Sequence, residues 1–142
     1  MTKNFDSAIL FLIFNRPETT SKVLEKIRQI KPKKLYVSAD GPRKNNLKDK
    51  EQIKETRDII EKVDWDCVIK KRYNDENLGC KESISQALKW FFENEESGII
   101  LEDDCLPHID FFNFCQELLL KYKNNHDVMA ITGNNFHNGK KF

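Results

Sequence analysis

Three adjacent carboxylates stand where an apolar stretch of the sequence ends. Glu102, Asp103 and Asp104 directly follow two isoleucines and a leucine in the segment GIILEDDCLP. Side chains alternate along a β-strand, so Glu102 and Asp104 are expected on one side and Asp103 on the other. Because Mg²⁺ and Mn²⁺ prefer oxygen ligands, this acidic strand end predicts a divalent-cation site. The alternative is a strand that simply enters solvent through acidic residues.

Three further polar residues follow apolar runs at comparable places. Arg16 comes after the first run and just before a helix start, where its planar guanidinium could bind a phosphate or stack on a base. Asp40 ends the second run and could accept a hydrogen bond from a base or a ribose. Lys81 falls in the first turn of a helix, where a cation is poorly placed for the helix dipole and so could answer a ligand charge.

Each of these residues also has a simpler explanation. Arg16 could be an ordinary surface arginine, and Lys81 a solvated lysine. Asp40 precedes Gly41, and an Asp-Gly pair is typical of a turn. What favours a shared site is the fold that the rest of the sequence predicts.

Strand-like apolar runs alternate with helical apolar spacing along the chain. Because parallel strands joined by helices are buried on both faces, this alternation predicts an α/β fold, a three-layer α/β/α domain with a mostly parallel sheet. In such a sheet the carboxyl ends of the strands form one rim, where ligands bind. The predicted strands are 8–14, 35–41, 66–73, 99–102 and 128–132, the helical stretches are 15–30, 53–63, 84–92 and 111–122, and 42–50 is predicted to be an exposed loop.

Composition restricts the class of protein. The chain has 142 residues, which is the size of one domain, with 39% hydrophobic and 33% charged residues and a net charge of +1. Lysine clusters are balanced by acidic residues, so no nucleic-acid partner is expected. The longest apolar run, 8–14, is too short to span a membrane and has no small-residue cleavage site behind it. We therefore expect a cytoplasmic protein.

The four cysteines do not form a metal-binding or disulfide pattern. Cys67, Cys80, Cys105 and Cys115 contain no C-x-x-C spacing, so reduced structural thiols are expected. Cys105 and His108 could be considered a metal pair, but two ligands without a second pair nearby fall short of a zinc site.

Several segments together resemble a known family. ILFLIFNRP, VSADGPR, NLGCKESISQALKWFF, IILEDDCLPHIDFF and MAITGNNFHNGK are similar to the nucleotide-sugar-binding half of a GT-A glycosyltransferase, closest in pattern to the N-acetylglucosaminyltransferase I group and its bacterial relatives. The similarity covers almost the whole chain. It implies a GT-A, Rossmann-like nucleotide-diphospho-sugar transferase fold, in which 1–142 is a single nucleotide-sugar-binding domain that looks truncated after its first half.

The resemblance also implies roles for the candidate residues. The Glu-Asp-Asp triplet corresponds to the family's D-x-D motif, whose last carboxylate, here Asp104, binds a Mn²⁺ or Mg²⁺ ion held by the donor's diphosphate. Asp103 and Glu102 would support the ribose and the metal-bound waters. Arg16 would contact the nucleotide, and Asp40 would read the uracil, which favours a UDP-sugar as the donor.

Two departures from the family pattern affect these expectations. The helix before the acidic strand has Lys81 but carries Ser83 where the animal enzymes have a histidine, which leaves the identity of the base open. The acceptor-binding half, with the catalytic base, is not recognisable, and neither Asp110 nor His108 is assigned to that role. The acceptor, a glycan or another hydroxyl compound, is unknown, and apolar surface left uncovered by a missing half predicts self-association.

The predicted function is therefore a metal-dependent glycosyltransferase, or its donor-binding fragment, that transfers a sugar to an acceptor hydroxyl. Three alternatives stay open at this stage. One is a non-catalytic module that binds a nucleotide sugar, and another is a scaffold domain without a ligand. The third is a different metal-dependent phosphoryl-transfer enzyme, but those usually carry an acidic pair after the first strand, where this chain has Asn15 and Arg16.

Overall fold

The chain folds into four strands and four helices that strictly alternate. The computed structural model of the protein describes residues 5–134. This alternation confirms the predicted α/β class. The elements are β1 (Ile9–Ile13), α1 (Pro17–Ile30), β2 (Lys34–Ala39), α2 (Leu47–Ile60), β3 (Val68–Tyr73), α3 (Cys80–Phe92), β4 (Ile99–Glu102) and α4 (Ile109–Tyr122).

All four strands are parallel, in the order β3-β2-β1-β4. The chain therefore moves outward from β1 to β3 and then returns to the other side of β1 with β4. The strand order reverses between β1 and β4, which is the switch point where open α/β sheets bind ligands. The architecture is Rossmann-like in this sense, and its polar strand ends lie at one edge.

Helices cover both faces of the sheet. Helices α1, α2 and α4 pack on one face, over a core that includes Phe11, Val37 and Ile27. Helix α3 packs on the other face, where Phe91 meets Leu10 and the ring of Tyr36. Because the sheet is buried on both sides, its central strands are almost continuously apolar, as parallel strands usually are.

The predicted fifth strand is not formed. Residues 128–132 have no ladder partner in the described part of the chain, where β4 pairs only with β1. The segment leaves a turn in which the Val128 N–H donates to the Asn125 carbonyl, and it continues to Gly133 beside the ring of Phe111. A short apolar run lacks the period that distinguishes a strand from other apolar segments, so the prediction was wrong.

The predicted loop 42–50 is helical in its second half. Helix α2 begins at Leu47, and the side chain of its N-cap residue Asn46 accepts a hydrogen bond from the Asp49 N–H at 3.2 Å. An Asn cap followed by an acidic first turn is a helix-start signal. The polar composition of the segment favoured a loop, so the start of this helix was not predicted.

The apolar stripe of α4 is only partly core. The apolar spacing of the sequence predicts a core stripe that leaves out Phe112, which is fully buried, and includes Phe114, which is exposed; its members are Phe111, Phe114, Cys115, Leu118, Leu119 and Tyr122. Phe111, Cys115 and Leu119 pack only partly against the core. These three also line an apolar cavity of about 640 Å³ between α4, β4 and residues 125–131. The expected self-association stays a prediction.

Within the described residues, none of the helices has the length and apolar character required to cross a bilayer.

Candidate functional site

A cavity of about 290 Å³ opens at the carboxyl ends of the strands, beside the switch point between β1 and β4. Five of the six residues singled out in the sequence line it, and Lys81 does not. The lining consists of Leu12, Ile13, Phe14, Arg16, Ser38, Asp40, Arg43, Asn77, Gly79, Cys80, Ser83, Ile84, Glu102, Asp103 and Asp104. The topology therefore brings the polar strand ends together as the α/β fold predicts.

The three carboxylates of the acidic cluster lie in different surroundings. Glu102 and Asp104 are exposed and Asp103 is buried, which is the alternation expected of a strand. Asp103 accepts hydrogen bonds from the Phe14 N–H at 2.9 Å and from Nη1 of Arg16 at 2.8 Å. Asp103 thus joins the end of β4 to the end of β1.

Arg16 bridges two of these carboxylates. Its Nη1 also donates to Asp104 at 2.9 Å, and the Asp104 side chain is 47% exposed whereas that of Asp103 is 4% exposed. The hydrogen bond to Asp103 raises the pKa of Arg16 above its usual value, and the charges of Asp103, Asp104 and Glu102 add to the effect. Arg16 is therefore a fixed cation at the mouth of the cavity, and Asp104 is the more accessible of its two partners.

Asp40 organises two loops. Its Oδ1 accepts from the N–H groups of Gly41 and Leu78 and from Nδ2 of Asn74, at 2.9, 3.0 and 3.0 Å. Its Oδ2 accepts from Nδ2 of Asn77 and from the Gly79 N–H, both at 3.0 Å. A carboxylate offers about four lone-pair positions. A ligand donor would therefore have to displace one of the chain's own donors.

The loops around Asp40 fit closely. A Cβ on Gly41 would lie 2.4 Å from the carbonyl carbon of Glu76, so only glycine fits between the two loops. Arg57 of α2 closes the arrangement from the other side, with Nη2 donating to the carbonyl oxygens of Asp40 and Asn74 at 3.2 and 2.8 Å. The start of α3 is thereby attached to the end of β2.

The sequence analysis missed a second arginine at this site. Arg43 lines the cavity, and its Nε and Nη2 donate to Asp49 of α2 at 2.6 and 2.8 Å. Asp49 is buried and also accepts from Nδ2 of Asn15 at 2.9 Å. These bonds, above all the one from the Arg43 side chain, hold the pKa of Asp49 well below its usual range. The Asn46 cap that begins α2 was the signal that could have revealed this buried acid.

Lys81 is directed away from the cavity although its neighbours line it. Cys80, Ser83 and Ile84 are spaced i, i+3 and i+4 on α3 and so share the face toward the cavity. Lys81 comes one residue after Cys80, about 100° further around the helix, and is exposed. Its role in binding a ligand stays a prediction without support from its position.

The acidic cluster does not form a complete metal cage. Within residues 5–134, no group of three or more His, Cys, Asp and Glu side chains is gathered so that it could hold a metal ion. Mg²⁺, however, typically takes one or two protein carboxylates and completes its shell with phosphates and water. Glu102 and Asp104 are the exposed carboxylates that fit this limited requirement.

The four cysteines are free, as the sequence analysis expected. Their spacing in the fold adds no candidate metal site in the described part of the chain.

Comparisons with protein-family models, with curated protein sequences and with solved structures gave no match to this chain.

Proposed function

We propose that the chain binds a nucleotide diphosphate sugar together with Mn²⁺ or Mg²⁺ in the cavity at the strand ends, and that it serves glycosyl transfer as a transferase or as its donor-binding part. The observation that carries the proposal is the charge of the cavity. Its lining holds four carboxylates and two guanidinium groups, a net charge of −2 on a chain whose total is +1: Asp40, Glu102, Asp103, Asp104, Arg16 and Arg43.

A cavity with this charge suits an anionic ligand only when a cation accompanies it. A diphosphate alone would meet net repulsion, whereas a divalent cation would offset the charge of the lining and so allow an anionic ligand to bind. Asp104 and Glu102 would hold the cation because they are exposed, whereas Asp103 is buried and accepts from Arg16 and the Phe14 amide; Asp104 would bind the cation while it also pairs with Arg16. The resemblance of the sequence to GT-A transferases supports the same assignment of Asp104.

The two arginines have distinct positions for binding the phosphates. Arg16 and Arg43 both line the cavity, and each is held by a buried aspartate, Asp103 or Asp49. A guanidinium fixed in this way loses little freedom when it donates to phosphate oxygens. The bound cation would supply charge neutralisation for the departing nucleoside diphosphate.

Binding without turnover is the second candidate function. His108 and Asp110, the titratable pair that follows the acidic cluster, contact each other at 3.2 Å and do not line the cavity. The His108 side chain accepts from the Asp110 N–H and thereby caps α4, which gives the pair a structural role. The proposal therefore assigns described residues to donor binding and none to the role of acceptor base.

A titration with nucleotides tests the proposal. We expect UDP or GDP to raise the melting temperature in the presence of Mn²⁺ but not with EDTA, since a ligand that binds only the folded state stabilises it. Asp104→Asn should abolish the rise. Asp64→Asn is the matched control, because Asp64 is a similarly exposed aspartate paired with Arg28 away from the cavity.

Three outcomes separate the candidates. A Mn²⁺-dependent rise that disappears in Asp104→Asn and persists in Asp64→Asn supports the proposal. Slow hydrolysis of the nucleotide sugar on prolonged incubation would favour the transferase over the binding module. The absence of a rise with any nucleotide would overturn both and leave a scaffold domain.

A further inference from the structure

A buried hydroxyl at the floor of the cavity has no partner in the protein. Ser38 is 2% exposed and lines the cavity, and its Oγ makes no hydrogen bond within residues 5–134. Leaving a buried hydroxyl unpaired costs stability, so such groups are rare and usually await a ligand or a water molecule. Ser38 is not among the residues that the sequence analysis singled out.

The surroundings of Ser38 suit a neutral ligand group. In the register of the sheet, Ser38 lies between Leu12 of β1 and Arg72 of β3, on the face that α3 covers. Across this floor, α3 contributes Ile84 and the hydroxyl of Ser83. Nδ2 of Asn74 donates a long hydrogen bond of 3.5 Å to that hydroxyl. Leu12 and Ile84 are apolar, so a single hydroxyl between them would fix the edge of a flat heterocycle better than it would bind a charged phosphate.

Asp40 cannot easily serve the same purpose. It lies two residues beyond Ser38, just past the end of β2, but both of its oxygens are filled by the five donors described above. The Ser38 hydroxyl is therefore a neutral hydrogen-bonding group on this side of the cavity to which no group of the described chain is bonded. Phe14, half-buried in the lining, adds an aromatic ring beside this floor, and the guanidinium of Arg43 lies over that ring at 5.7 Å from its centre.

We propose that Ser38 Oγ hydrogen-bonds the edge of the ligand's nucleobase, and that Asp40 is a positioning residue that fixes the start of α3 over this floor. The inference rests on the proposed function, which supplies the nucleotide. A serine hydroxyl both donates and accepts, so it can pair with a carbonyl oxygen or a ring N–H of the base. The base and the diphosphate then occupy different parts of the cavity: Ser38 contacts the former, and Arg16, Arg43 and Asp104 the latter.

The test compares a probe that has a base with one that lacks it. Wild type and Ser38→Ala are titrated calorimetrically with UDP and with pyrophosphate, both in Mn²⁺. We expect Ser38→Ala to weaken UDP binding about three- to tenfold, the range of one neutral hydrogen bond, and to leave pyrophosphate binding unchanged. Where another nucleotide binds the wild type more tightly than UDP, that nucleotide replaces it.

Thr20→Val is the matched control. Thr20 of α1 also carries a buried hydroxyl without a partner in the described chain, and it does not line the cavity. Both substitutions remove an unpaired buried hydroxyl, so both should raise or preserve the melting temperature of the free protein. Only Ser38→Ala should lose affinity for the nucleotide. A variant that gains stability and loses affinity cannot owe the loss to misfolding.

The possible failures are distinguishable. If Ser38→Ala binds UDP as tightly as the wild type, the base contact is overturned while the proposed function stands. The same holds if the variant loses affinity for UDP and for pyrophosphate by the same factor. If the wild type binds UDP no more tightly than pyrophosphate, the cavity does not read the base and the inference also falls. If the wild type binds neither probe, the proposed function fails and this inference fails with it.

Discussion

Arg16 and Asp103 connect the two strands that flank the switch point of the sheet. Nη1 of Arg16 lies 2.8 Å from Oδ1 of Asp103, and the other oxygen of Asp103 accepts from the Phe14 N–H at 2.9 Å. The same Nη1 reaches the exposed Asp104 at 2.9 Å. The two carboxylates that Arg16 bridges therefore differ: Asp103 is buried and stabilises the fold, whereas Asp104 is exposed and can be reached by a ligand.

This difference predicts unequal effects on stability. Asp103→Asn should lower the free energy of unfolding by about 1–3 kcal/mol, because it weakens two hydrogen bonds to a buried charged group. Asp104→Asn should change it by no more than about 0.5 kcal/mol, as is usual for an exposed ion pair. Urea denaturation of both variants measures the two values. Equal losses would contradict the assignment of separate roles.

The depressed pKa of Asp49 is expected to make the folded protein less stable in acid. Its pKa in the folded protein is depressed, chiefly by the side-chain hydrogen bond from Arg43, below the value of about 3.9 expected for an unfolded chain. On acidification the unfolded state therefore binds the proton first, so the stabilisation is complete above about pH 4 and is lost as the pH falls below it. Unfolding free energies measured between pH 2 and 7 give the profile.

The Asp49→Asn variant isolates this contribution. It should be less stable than the wild type at pH 7 by about 1–3 kcal/mol, since hydrogen bonds to a charged acceptor are replaced by weaker ones. Below pH 3 the difference should shrink. Asp58→Asn, which removes an exposed partner of Lys54 on the same helix, is the control. A difference that stays constant over the whole pH range would refute the role of Asp49.

Asp40 predicts a local change at the start of α3. Asp40→Asn replaces one acceptor oxygen by an NH₂ group that faces the chain's own donors, which should cost about 1–3 kcal/mol. In the wild type the N–H groups of Leu78 and Gly79 donate hydrogen bonds to Asp40, so in the variant they should exchange with solvent faster. Hydrogen exchange read by NMR measures this directly. Asp75→Asn, an exposed carboxylate in the same loop, should leave both amides protected.

Substitution of Arg43 is expected to weaken ligand binding. Arg43→Gln should weaken Mn²⁺-dependent nucleotide binding about tenfold or more, because a charge-assisted bond to a phosphate is lost. Arg28→Gln is the matched control, since Arg28 also pairs with an aspartate through two hydrogen bonds but lies away from the cavity. Calorimetric titration provides both affinities. Similar losses in the two variants would point to a general electrostatic effect in place of a specific contact.

Several features of the site required knowledge of distant contacts. Arg43 is fixed at the site only because it is bonded to Asp49, which is buried on the following helix. The polar composition around the start of that helix predicted a loop, so this contact was not expected. Ser38 is significant only because α3 covers it without offering a partner. Residues 128–132 have a strand-like composition, but a strand also needs a neighbour to which its backbone can bond, and β4 does not pair with them.

The sequence by itself determined the order of strands and helices and the gathering of Arg16, Asp40 and the acidic cluster at one edge. Apolar periodicity specifies the elements, and parallel connection places the carboxyl ends of all strands together. Only the tertiary structure decided which oxygens are free. Asp40 and Asp103 are filled by donors such as Asn77 and the Phe14 amide, which come from other loops, whereas Asp104 accepts from Arg16 and yet stays exposed to solvent. Whether a carboxylate oxygen already accepts hydrogen bonds depends on residues that are close in space. The spacing of residues along one strand cannot predict it.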